Sequence, residues 1–73
     1  MLEYTVILDP DEEGRGYTVV VPVLPGCITQ GRTKEQALER AKEAIVLYIE
    51  SLRAAGEPIP MERRPLEVLK VAV

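Results

Sequence analysis

Between Leu2 and Asp9 apolar and polar residues nearly alternate, with Leu2, Tyr4, Val6 and Leu8 on one parity and Glu3, Thr5, Ile7 and Asp9 on the other. A period of two places successive side chains on opposite faces, so this segment is expected to be a strand with one face in the core. The next seven residues, Pro10 to Gly16, combine a proline, two glycines and four charged residues. Gly14 and Gly16 supply the positive φ that a hairpin connection requires, so the chain is expected to reverse there. Tyr17 to Val23 is rich in β-branched residues and is expected to pair antiparallel with the first strand. Val19, Val20 and Val21 put apolar side chains on both of its faces. Pro22 and Pro25 cannot donate to a ladder, so Leu24, Pro25 and Gly26 are read as a tight connection into a short third strand, Cys27 to Gln30.

The period changes after Gly31. Thr33 and Gln36 have the spacing of a capping box, in which hydroxyl and side-chain amide satisfy two otherwise unpaired N–H groups at a helix start. From there Leu38, Ala41, Ile45, Tyr48, Leu52 and Ala55 recur at spacings of three and four, and form the expected buried stripe. Gly56 suits the position just past a helix end, and Pro58 and Pro60 prevent continuation. Beyond a proline-containing linker that runs through Pro65, Leu66 to Val73 is β-compatible throughout and reads as a last strand. The expected fold is α+β, in the order βββαβ, with an antiparallel sheet and one helix on one face.

One helix covers one sheet face, whereas Ile7, Val20, Leu69, Val71 and Val73 suggest apolar residues on both. A second copy or a partner is therefore expected over the remainder. Val20, Val46 and Ile49 are the candidate self-association residues, in a dimer or a tetramer. At 73 residues the chain has room for one domain, spanning 1–73. Folded chains of this size bury only about 60% of the surface their unfolded forms expose, so association is a natural source of extra stability.

Composition narrows the function classes. With 47% hydrophobic and 29% charged residues the chain is neither disordered nor membrane-spanning in character. A cytoplasmic location is the expectation, since no basic segment precedes an apolar core at the N-terminus. There is no histidine, which removes serine and cysteine triads that depend on imidazole and also the imidazole metal ligands. Cys27 is the sole cysteine and is read as a buried thiol. The glycines form no phosphate-binding loop, and the adjacent Arg63 and Arg64 have no aromatic beside them on which a base would stack. With a net charge of −3 a whole-surface grip on phosphates is not expected. No cofactor or metal is assigned, and no direct contact with nucleic acid or membrane is expected. Asp9, Asp11, Glu12 and Glu13 crowd into five positions and form the one dense acidic group, either a solvated turn or a docking patch for a basic protein.

Taken in order, Tyr4 with the turn acids and Gly14, then Val21-Pro22-Val23-Leu24-Pro25-Gly26-Cys27, Gly31-Arg32-Thr33, Glu35-Gln36-Ala37-Leu38 and Gly56-Glu57-Pro58-Ile59-Pro60, the chain resembles the HicB-like antitoxins. The structural motif residues of that resemblance are Pro22, Pro25, Gly26, Cys27, Gly31 and Thr33. It implies a truncated RNase H-like fold without the full set of catalytic carboxylates. It also implies a role: binding a HicA-type toxin, an mRNA-cleaving protein, and covering its active site. Such a toxin is expected to present a basic surface, for which Asp9, Asp11, Glu12 and Glu13 are the candidate complement. The sequence departs from the family pattern at Val23 and Arg32, where acids are common, and at Gln36, where Glu is common. Many members append a DNA-binding segment that has no counterpart here, so autorepression by this chain alone is not expected. Two other classes stand beside the antitoxin reading: an orphan self-associating protein, and a weak metal-dependent nuclease built on the turn acids.

Overall fold

A computed structural model describes residues 2–73. Three strands, β1 (Ile7–Pro10), β2 (Tyr17–Val20) and β3 (Ile28–Gly31), form an antiparallel sheet in the order β1-β2-β3, and helix α1 (Lys34–Ala54) follows. The α+β class and the βββα order agree with the sequence pattern. Register is set by the hairpin: Ile7 pairs with Val20 and Pro10 with Tyr17, while Val20 pairs with Ile28 and Tyr17 with Gly31. The turn between β1 and β2 is organised by Asp11, whose Oδ2 accepts hydrogen bonds from the N–H groups of Glu13 (3.1 Å) and Arg15 (3.2 Å). This local side-chain bonding is why aspartate favours turns. Gly14 and Gly16 take φ of 73° and 132° there, as the hairpin requires.

The strands are shorter than the alternation suggested. β2 leaves the ladder at Val20 because residues 21–27 coil into a compact loop. Leu24 N–H donates to Val21 C=O, Cys27 N–H donates to Leu24 C=O, and Val21 N–H donates to Cys27 C=O. Leu2–Val6 therefore has no strand to pair with, although its alternation survives: Tyr4 and Val6 pack inward. Inside the loop, Val21, Leu24 and Cys27 are buried together, against Tyr4, Val6, Ala44, Ile45 and Tyr48. Tyr48 Oη closes the loop by donating to Pro25 C=O at 2.8 Å.

Helix α1 begins as the capping spacing predicts, with Gln36 N–H donating to Thr33 Oγ1 at 3.1 Å. The reciprocal bond differs by one residue, since Gln36 Oε1 accepts from Arg32 N–H (2.7 Å) and not from Thr33. At the other end Gly56 (φ 69°) donates to Arg53 C=O and Glu57 to Leu52 C=O, which is a Schellman termination.

The buried stripe of α1 is rotated from the one read in sequence. Leu38 is half exposed, while Ala37 and Ala41 are buried against Val19. The cause lies at Gly31. A Cβ on that residue would stand 2.5 Å from Ala37 N and 2.6 Å from Ala37 Cα. Helix and sheet approach so closely here that only alanine-sized side chains fit between them, and leucine is turned outward. Ile49, placed off the stripe in sequence, is also buried.

Leu66–Val73, expected as a last strand, is not one: no ladder forms, and Val68, Leu69 and Val71 are 68%, 78% and 83% exposed. β-compatible residues make a strand only where a neighbouring edge offers its hydrogen bonds. The linker before this arm is fixed to the N-terminal segment. Tyr4 Oη donates to Pro60 C=O (2.6 Å), and the Glu62 carboxylate accepts from Thr5 N–H (2.8 Å) and from the Thr5 hydroxyl (2.6 Å). The Thr5 side-chain hydrogen bond first, and its backbone N–H second, hold the Glu62 carboxyl below its ordinary value of 4.5. The folded state therefore favours the ionised form. This contribution to stability is complete above the ordinary glutamate range and is lost as pH falls through the lower, folded value. In thermal melts across pH, wild type is expected to exceed Glu62→Gln at neutral pH, with the gap closing on acidification below 4.5. A gap that persists unchanged at low pH would exclude the clamp.

Among the described residues no helix is long and apolar enough to cross a membrane.

Candidate functional site

The sheet has two unlike faces. Val19 on β2 is fully buried under α1, with Leu8 and Tyr17 packed beside it. Side chains alternate along a strand, so Thr18 and Val20 point to the opposite face. The register then assembles two rows on that outer face: Ile7, Val20 and Ile28 form an apolar row, and Asp9, Thr18 and Gln30 a polar one. Ile28 is 60% exposed and Thr18 and Gln30 are exposed. Beyond the polar row the β1–β2 hairpin ends in the acidic group.

All four acids are exposed, but they are not equivalent. Arg15 reaches Glu13 at 2.9 Å and Asp11 at 3.5 Å, and Asp11 also holds the turn together. Among the described residues Asp9 and Glu12 form no ion pair, so theirs is the acidic charge least satisfied internally. Behind the tip lies a polar concavity of about 550 Å³, with Arg15, Arg32 and Arg40 at its margin beside Thr18, Gln30 and Gln36. The hairpin end thus presents carboxylates and guanidiniums side by side.

Val20 sits on the outer sheet face, whereas Val46 and Ile49 line a groove on the helix side. The three candidate self-association residues are therefore divided between two surfaces. Pro22, Pro25, Gly26 and Cys27 belong to the loop that closes over the second core cluster, Gly31 is the helix–sheet contact, and Thr33 is the helix cap. Thr18, Ile28 and Gln30 did not stand out in the sequence. Only the cross-strand register brings them into rows with Asp9 and Val20, and that register emerges once β2 and β3 are aligned.

Among the described residues no three of Cys, Asp and Glu are grouped to hold a metal ion. The acids of the hairpin are exposed to solvent. Cys27 is 5% exposed, and burial pushes its thiol above the ordinary value, which favours the unreactive protonated form. In the native protein Cys27 is expected to react with an aromatic disulfide reagent only as fast as the loop opens, and at the full free-thiol rate in denaturant. Equal rates in both states would contradict its burial.

Residues 4–72 match a family described as the HicB_like antitoxin of bacterial toxin-antitoxin system. A UPF0150 protein of Thermoplasma acidophilum is 56% identical over 61 residues, covering 84% of this chain and 87% of the relative. Antitoxin HicB 1 of Photorhabdus laumondii is 43% identical over 60 residues, which cover 82% of this chain but 38% of that protein. Antitoxin HicB of Escherichia coli is 37% identical over 60 residues, covering 82% of this chain and 43% of the relative. The chain therefore corresponds to under half of the relatives named as antitoxins and to most of the length of the UPF0150 protein. With a family match running from the first core tyrosine almost to the C-terminus, the chain belongs to the HicB-like antitoxin family of bacterial toxin–antitoxin systems.

Proposed function

We propose that this protein neutralises a HicA-type, mRNA-cleaving toxin by covering the toxin's RNA-binding surface and active site with its hairpin tip and outer sheet face. The observation that carries this reading is acid without an ion partner and partly exposed apolar surface on one face: Asp9 lies in the polar row next to the Ile7-Val20-Ile28 row, of which Ile28 is 60% exposed, and Glu12 lies in the turn beyond the polar row. A surface that binds RNA must be basic, and a competitor for it must be acidic where the RNA phosphates lie. Exposed ion pairs are each worth only about 0–1 kcal/mol, so the acids chiefly speed encounter and select the partner. Burial of the apolar row supplies the lasting affinity. The protein acts by binding, in the cytoplasm where mRNA is cut, and its RNase H-like frame serves as a scaffold without catalysis.

Reversing the two free charges tests this surface. Asp9→Lys combined with Glu12→Lys is expected to slow association with a HicA-type toxin about tenfold or more at low salt, with the difference shrinking as salt is raised. Neither residue is buried, so the fold is unaffected. Equal association rates for wild type and variant at low salt would remove the hairpin tip from the interface.

A further inference from the structure

The polar concavity behind the hairpin tip shares Thr18 and Gln30 with the surface assigned to the toxin, but its basic residues play no part there. It is built where two connections touch. The β1–β2 hairpin and the β3–α1 junction meet backbone to backbone at Gly16 and Gly31, and a Cβ on Gly16 would stand 2.5 Å from Gly31 O and 3.1 Å from Arg32 Cα. Around this contact the hairpin contributes Arg15, the junction Arg32, and the start of α1 Gln36 and Arg40, lining a volume of about 550 Å³. We propose that this concavity is a binding site for the terminal phosphate of a small phosphorylated ligand.

The chemistry of the lining selects an anion. A guanidinium offers N–H donors and no acceptor. Arg15 is engaged by Glu13 and Asp11, but among the described residues Arg32 and Arg40 form no ion pair. Gln36 uses its side-chain oxygen to accept from Arg32 N–H (2.7 Å), which leaves its Nε2 group to donate. Asp11 is the one carboxylate in the lining, and its Oδ2 already accepts from the N–H groups of Glu13 and Arg15 and lies 3.5 Å from Arg15 Nε. The concavity therefore gathers donors and positive charge in a chain whose net charge is −3. Planar guanidiniums bind phosphate and carboxylate oxygens in pairs. A terminal phosphate, with a charge of about −1.5 to −2 at neutral pH, balances the two unpaired arginines, whereas a carboxylate balances one. A single phosphate fills only part of this volume, which lies within the range of roughly 300–1,000 Å³ typical of small-molecule sites, so the ligand carries a further phosphate or an organic group. A long RNA strand is a poorer fit, because its phosphates would run on past the exposed Glu12 and Glu13. The site stands apart from the toxin-binding proposal, since neither its ligand nor its test involves a toxin.

Titration of the isotopically labelled full chain with inorganic pyrophosphate, followed by nuclear magnetic resonance at constant ionic strength, tests the site. Saturable shifts are expected at the Nε–H signals of Arg32 and Arg40, at the Gln36 side-chain amide, and at the backbone amides of Gly16 and Gly31. Arg32→Gln combined with Arg40→Gln should weaken binding about tenfold or more. Both side chains are exposed, so this variant should retain the circular dichroism of wild type. Lys42→Gln combined with Arg53→Gln removes the same charge from the groove beside the N-terminal segment and should leave the affinity nearly unchanged. Adenosine diphosphate distinguishes the sources of the phosphate. An affinity no greater than that of pyrophosphate assigns the site to free phosphates, a greater one assigns it to a nucleotide, and either supports the proposal. No saturable shift with pyrophosphate, equal affinities in the two double variants, or binding of adenosine diphosphate or an RNA strand without binding of pyrophosphate would each overturn it.

Discussion

Gly31→Ala is expected to lower the thermal midpoint by roughly 10–20 °C. A β-carbon at this position meets Ala37 N at 2.5 Å and Ala37 Cα at 2.6 Å, and neither backbone atom belongs to a flexible side chain that is free to move aside. Helix α1 must lift from β3. Overpacking costs roughly 1–3 kcal/mol, and a backbone-to-backbone obstruction belongs at the upper end. In a domain of this size each kcal/mol displaces the midpoint by roughly 4–8 °C. Gly31 does not occupy the left-handed region, so an alanine there meets no φ penalty and the loss reports the contact alone. Gly14 is the matched control. It has φ of 73° with open space around its missing side chain, so Gly14→Ala should cost only about 1 kcal/mol. Calorimetry on the pair separates the two causes, and equal losses would contradict the close approach of helix to sheet.

Leu24→Ala is expected to remove about 2–5 kcal/mol, the range for truncating a buried leucine where the surroundings cannot collapse. Leu24 is wholly buried at the centre of the 21–27 loop, and its backbone C=O also accepts from Cys27. The residues around it come from three separate parts of the chain: Tyr4 and Val6, the loop itself, and Ala44, Ile45 and Tyr48 on α1. Their spread leaves no single element able to move inward and fill the void. Domains are stable by only about 0.05–0.15 kcal/mol per residue, so the loss consumes much of the total. The same variant should accelerate the reaction of native Cys27 with thiol reagents, since Leu24 and Cys27 share a cluster. Urea unfolding measures the first effect, and a change below about 1 kcal/mol would show that the loop is loosely packed.

Much of the fold was legible because it is encoded locally. The hairpin follows from alternation and from the glycines near residue 15, the helix start from the Thr33–Gln36 spacing, and its end from Gly56. What could not be read depends on contacts distant in sequence. Leu38 fits the helical period as well as Ala37 does. Only the absence of a side chain at Gly31, and the proximity it permits, decides which of the two is buried. The last strand failed for a related reason, since Leu66–Val73 has strand-like residues but no neighbouring edge within this chain. The acidic tip was found as a group, while the division of labour within it was not. Asp11 and Glu13 are engaged by Arg15, which sits between sequence neighbours whose geometry only the folded turn defines. The outer rows of Thr18, Ile28 and Gln30 likewise required the register of three strands.

Silencing of a toxin by occupation of the surface that binds RNA is read in the toxin's own reaction. The direct measurement is cleavage of an mRNA substrate by a purified HicA-type toxin, preferably one encoded beside this protein, as the folded chain is added. Cleavage is expected to fall in proportion to added protein and to stop at a fixed ratio of the two, with the Asp9→Lys, Glu12→Lys variant inhibiting more slowly. Undiminished cleavage in the presence of excess folded protein, across several HicA-type toxins, would contradict it.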